Sequence, residues 1–116
     1  MRKLALLTLF AYSVLCAADI TGAWDFAVET AQGSGNPAFT FKQDGEKLTG
    51  TYSGLFGKAD VAGTVKGDAV EFTFDVSMDG QTAKMRYKGK VESPGKMKGE
   101  VVLGDLASGT WTATKK

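Results

Sequence analysis

The chain has 116 residues, with 14 basic against 13 acidic side chains, no histidine and one cysteine. That length holds one domain, and the near-neutral balance leaves no electrostatic footprint for nucleic acid. Without histidine, neither a Ser/His/Asp nor a Cys/His arrangement can be assembled.

The first residues read MRKLALLTLFAYSVLCAAD: a basic start at Arg2 and Lys3, an apolar run from Leu4 to Leu15, then small residues. This is the pattern of a secretory signal peptide. Cleavage is expected after Ala18, so that residues 1–18 are the leader and 19–116 a single exported domain, secreted or periplasmic. The apolar run is shorter than the ~20 residues a membrane span needs. Attachment to a membrane follows only in the alternative where Cys16 is lipidated, and there Leu15 is bulkier than the small residue usual before such a cysteine. Without the leader the chain has 12 basic and 13 acidic side chains and no cysteine, hence no disulfide and no thiol chemistry.

Downstream, short alternating runs are separated by turn signals at Asp44-Gly45, Gly57-Lys58, Gly67-Asp68, Asp79-Gly80, Ser93-Pro94-Gly95 and Gly104-Asp105. The spacing predicts strands over 20–30, 37–43, 47–55, 60–66, 69–78, 82–92, 96–103 and 108–114, an antiparallel meander. Helical periodicity is absent from this part. Eight consecutive strands suggest an all-β, eight-stranded antiparallel up-and-down β-barrel, because closure removes both sheet edges.

Turn positions fix an expected register. An Asp79-Gly80 hairpin turn sets Phe74 against Met85, Phe72 against Tyr87 and Val70 against Gly89, and on the other face Asp75 against Lys84 and Glu71 against Lys88. A Gly67-Asp68 turn sets Gly63 against Phe72 and Val65 against Val70. An Asp44-Gly45 turn sets Gly50 against Phe39 and Leu48 against Phe41, and a three-residue loop over 104–106 sets Gly99 against Trp111. Recurrent inward glycines therefore face large rings, a device of curved sheets and barrels.

The same register turns Asp25, Glu29, Glu71, Asp75 and Glu100 outward, so no carboxylate is desolvated for acid/base work. The row Lys84, Arg86, Lys88, Lys90 reads as a solvated strand face. Asp-Gly pairs read as turns rather than calcium loops, and Gly33-Ser34-Gly35 as a loop with no helix after it to cradle phosphate. Inward-facing residues are apolar or aromatic, among them Trp24, Phe26, Phe39, Phe41, Leu48, Tyr52, Phe72, Phe74, Met85, Tyr87 and Trp111. A barrel of eight strands is just wide enough to be filled by side chains or to hold one small ligand.

The stretch ITGAWDF followed by DGEKLTGTYSGLFG resembles the first strands of the avidin and streptavidin family, and its Gly-x-Trp strand is similar to that of the lipocalins, grouped with avidins as calycins. The resemblance covers Ile20 to Gly57 and implies a calycin-like barrel in which Tyr52 stands at the family tyrosine that hydrogen-bonds the biotin ureido oxygen. Phe26 stands where the family has asparagine and Gly54 where it has serine, and no tryptophan lies between Trp24 and Trp111. These departures speak against biotin. The later part resembles an uncharacterised secreted bacterial module sometimes appended to amidohydrolase-type enzymes.

The expectation is an exported, non-catalytic binding module for a small apolar or amphipathic ligand at the open end of the barrel. Candidate ligand-binding residues are Trp24, Tyr52, Tyr87 and Trp111, because buried phenol and indole groups want polar partners. No catalytic residue, metal ligand or cofactor is assigned, and the oligomeric state stays open. The alternative is a structural or interaction module with a filled core, offering a threonine-rich outer face (Thr49, Thr51, Thr110, Thr112, Thr114).

Overall fold

A computed structural model describes residues 19–31, 33–78, 80–104 and 107–116. The expected leader, its cleavage site after Ala18 and the alternative at Cys16 lie outside the described residues, as do Gln32, Asp79, Asp105 and Leu106. Among the described residues nine strands run in chain order: β1 (Gly22–Thr30), β2 (Gly33–Gly35), β3 (Ala38–Asp44), β4 (Lys47–Gly54), β5 (Gly57–Lys66), β6 (Ala69–Met78), β7 (Gln81–Ser93), β8 (Lys96–Leu103) and β9 (Ala107–Lys115). β1 pairs antiparallel with both β2 and β3, each strand from β3 to β8 pairs antiparallel with the next, and β1 also pairs with β9 from Trp24↔Lys115 to Thr30↔Gly109, which closes the barrel.

β2 and β3 are one barrel wall interrupted at Asn36-Pro37. Val28↔Gly35 and Asp25↔Ala38 continue a single register on β1. Where Pro37 faces Phe26, the Phe26 N–H donates to the Pro37 carbonyl at 3.0 Å. Proline has no N–H to return, and the Asn36 side-chain amide donates to the Phe26 carbonyl instead, at 3.5 Å. Nine strands thus make eight walls. The loop expected at Gly33-Ser34-Gly35 is corrected to a strand, since three further residue pairs of the ladder form beyond the proline.

The alternation of the sequence is reproduced in burial. All of the aromatic and aliphatic side chains assigned inward are buried, and no polar or charged side chain is buried among the described residues. Flanking pairs Met78↔Gln81, Lys66↔Ala69 and Leu103↔Ala107 set β6–β7, β5–β6 and β8–β9 in the expected registers, with Phe72↔Tyr87, Gly63↔Phe72 and Gly99↔Trp111 opposite one another. The β3–β4 hairpin differs. Its turn is Gly45-Glu46, flanked by Asp44↔Lys47, so Gly50 faces Phe41 and Phe39 faces Tyr52. Gly45 takes φ 63° at the first loop position, a left-handed conformation that glycine adopts without strain.

The interior is a continuous stack of rings. Phe26 lies 4.4 Å from Phe39 and 4.9 Å from Trp111, Phe72 stacks on Tyr87 at 5.0 Å, and Tyr52 stacks on Phe74 at 4.5 Å between centroids. Close ring pairs of this kind add about 0.5–1.5 kcal/mol each beyond their burial. Missing Cβ atoms make the room: a methyl group on Gly89 would lie 2.7 Å from the Trp111 ring. Ion pairs are confined to the exposed face, as between Lys84 and Asp75 at 3.7 Å, where they contribute little.

Candidate ligand-binding site

The alternation that buries Trp24, Tyr52, Tyr87 and Trp111 sends all four side chains into the barrel, but strand position separates them. Trp24 pairs with Lys115 near one end of the β1–β9 seam, whereas Trp111 pairs with Val28, four residues further along β1. The Trp24 indole N–H donates to the Ile20 carbonyl and the Trp111 indole N–H to the Glu100 carbonyl, each at 2.9 Å. Both indoles are therefore satisfied by backbone. Trp24 belongs to the end of the barrel that carries the β3–β4, β5–β6 and β7–β8 turns.

Tyr52 and Tyr87 come together at the other end. A cleft of about 160 Å³ opens there between the β2 segment and the β4–β5 turn. Its walls are Val28, Tyr52, Met85, Tyr87 and Leu103 from inside the barrel, with Pro37, Leu55 and Phe56 at the mouth. The cleft exists because the β3–β4 ladder stops at Ala38↔Ser53 while β1 and β2 run on to Thr30↔Gly33. One side of β2 is consequently without a strand neighbour. Leu55 is 87% exposed at this mouth, which places an apolar side chain in solvent beside an apolar opening.

The two phenols differ in how their hydroxyls are used. The Tyr52 oxygen accepts the Phe56 backbone N–H at 3.4 Å. The Tyr87 hydroxyl has no hydrogen-bond partner among the described residues, although the side chain is only 3% exposed. Burial pushes the Tyr87 phenol well above its ordinary value of 10.0, and the neighbouring Tyr52 pushes in the same direction. Burial likewise raises Tyr52, against a smaller opposing effect of the Phe56 N–H. Both therefore remain neutral hydroxyl donors at physiological pH.

Two larger concavities lie elsewhere. One of about 570 Å³ borders Ile20, Trp24, Val91 and Pro94 at the opposite end, and one of about 740 Å³ follows the outer sheet surface over Gly89 and Gly99 between Lys66, Lys88, Lys90 and Lys98. Both are open to solvent, and neither is bordered by a buried phenol. Among the described residues no group of three or more His, Cys, Asp or Glu side chains is placed to hold a metal ion. The candidate residues that share a cleft are Tyr52 and Tyr87. Met85, Leu103 and Phe56 join them; the inward position of Met85 was legible, but the gap at β2 that exposes these side chains depends on where the β3–β4 ladder ends.

Neither the protein-family models nor the curated proteins contain a match to this chain. Solved structures do share its fold. A redesigned beta barrel, b11L5F_LGL, superposes with a TM-score of 0.69 at 16% identity, over 84% of this chain and 91% of that one. The redesigned beta barrel mFAP1 bound to DFHBI gives 0.61 at 12% identity over 84% and 94%, and EF1p2_mFAP2b bound to DFHBI gives 0.59 at 14% over 84% and 93%. The architecture is an eight-walled closed antiparallel up-and-down β-barrel.

Proposed function

We propose that the protein is a non-catalytic binding barrel that takes one small apolar or amphipathic molecule in the cleft beside Tyr52 and Tyr87. The observation that carries this reading is the cleft itself: an apolar opening with a buried phenol hydroxyl at its wall that has no partner among the described residues, at one end of an otherwise ring-filled barrel. Two of the similar barrels hold the small molecule DFHBI, which supports the use of this architecture for such ligands. The avidin-like stretch around Tyr52 supports a phenol as the group that orients the ligand. On this reading the chain is exported by its N-terminal leader and meets its ligand outside the cytoplasm.

Fluorescence titration with small neutral aromatic compounds such as acetophenone, alongside fatty acids, flavonoids, haem and biotin, tests the proposal. Trp111 lies 5.9 Å from the Tyr87 ring, so occupancy of the cleft should alter tryptophan emission. Saturable binding of at least one compound is expected, biotin excepted. Tyr52→Phe should weaken it by roughly 0.5–1.5 kcal/mol, the value of one neutral hydrogen bond. Saturable binding of none would favour the interaction module with its threonine-rich outer face.

A further inference from the structure

We propose that the Tyr87 hydroxyl selects, within this cleft, a one-ring ligand bearing an uncharged carbonyl-type oxygen. The inference rests on the reading of the cleft as a ligand site and goes on to name the chemistry of its occupant.

Four large side chains with a polar atom were candidates for ligand contact, and both indole N–H groups are already engaged by backbone carbonyls. The Tyr52 oxygen accepts the Phe56 N–H, which anchors that phenol while its O–H can still donate. Tyr87 is left with its hydroxyl unpartnered among the described residues. Its ring is fixed by Phe72 at 5.0 Å, Phe39 at 5.4 Å and Phe26 at 5.8 Å. The hydroxyl is therefore held at a set position in the cleft wall, a pre-placed donor of the kind that gives an apolar pocket its specificity.

The rest of the cleft decides what the donor takes. Among the described residues no lysine, arginine, aspartate or glutamate borders it. A carboxylate or phosphate ligand would have to shed its water without a countercharge, a large cost. A ketone, aldehyde or amide oxygen is an acceptor that brings no charge. Burial keeps the phenol protonated, so the donor persists into alkaline solution. Size sets the remainder: about 160 Å³ is close to the ~150 Å³ apolar cavity that holds one benzene.

The test compares acetophenone with α-methylstyrene, in which a methylene replaces the carbonyl oxygen at nearly constant shape, binding to wild type and to Tyr87→Phe by NMR titration. The styrene is the more hydrophobic of the pair, so the quantity read is the ratio of its dissociation constant to that of acetophenone. In Y87F that ratio should fall about three- to tenfold, with a melting temperature no lower than that of wild type. Leu103→Trp, which fills the cleft from the β8 side, should abolish binding of both. An unchanged ratio in Y87F overturns the inference and leaves the cleft standing as a ligand site. A clear fall in the Y87F melting temperature overturns it too, since the hydroxyl would then already have a partner. Unaltered binding to L103W places the ligands elsewhere and overturns it as well. If neither compound binds wild type, the reading of the cleft fails and the inference with it.

Discussion

Tyr87 and Gly63 show how single residues set the behaviour of this barrel. Tyr87 is protonated in the folded state at pH values where an exposed phenol has ionised, because its burial penalises the phenolate. A folded-state pKa above the unfolded value means that the native state holds more protons as pH rises through 10. Stability is then full below pH 10 and declines above it, by up to about 1.4 kcal/mol per pH unit for one group. Denaturant melts between pH 9 and 11.5, paired with phenolate absorbance, should show little ionisation of Tyr52 and Tyr87 before unfolding; Y87F should flatten the decline. Gly63 acts through its missing side chain. A Cβ there would collide with the Glu71 carbonyl and lie 2.6 Å from the Phe72 Cα. Gly63→Ala should cost about 1–3 kcal/mol, as overpacking does. Gly35, whose Cβ position has nothing within 4 Å, should accept alanine within about 0.5 kcal/mol. Chemical denaturation of the two variants separates a packing glycine from an incidental one.

At the scale of elements, the broken wall β2–β3 creates the site. Asn36 bridges the place where Pro37 cannot donate, and β2 beyond it lacks a neighbour on one side. Asn36→Ala should loosen β2, and amide exchange at Gly33 and Gly35 should quicken while that at Phe72 and Tyr87 stays slow. Exchange unchanged at β2 would mean that the side-chain bridge does not hold the segment. The hairpins also show what could be read from the sequence and what could not. Gly67-Asp68 and Asp79-Gly80 each offered one sensible turn, and the registers of β5, β6 and β7 followed. The stretch Asp44-Gly45-Glu46 offers two, and the structure uses the second. Moving a two-residue turn by one position shifts every pair by two, which keeps each side chain on its own face. The burial pattern is the same in both registers, so it could not distinguish them. Pro37 obscured β2 for a different reason: proline reads as a strand boundary, and the side-chain amide that carries the ladder past it is a tertiary detail. The inward position of Tyr52 and Tyr87 was legible from alternation. Their shared cleft was not, because it depends on where β3 stops pairing.

For the whole molecule, ring packing leaves little room along the barrel axis. Phe26 contacts Phe39, Phe41, Phe72, Tyr87 and Trp111, so the middle is occupied by side chains from several walls. The end with Tyr52 and Tyr87 is where a small molecule can enter without unpacking that stack, and the two tryptophans serve the core from positions outside the cleft. The account therefore predicts a ligand site restricted to one end of a filled barrel. Amide shift mapping of the 15N-labelled protein during titration with acetophenone tests this most directly. The largest shifts should fall at Gly35, Tyr52, Phe56, Tyr87 and Leu103, with Ile20, Trp24 and Val65 at the far end unmoved. Shifts centred on Ile20 and Trp24, or on the outer surface around Gly89 and Gly99, or no saturable shift at all, would contradict it.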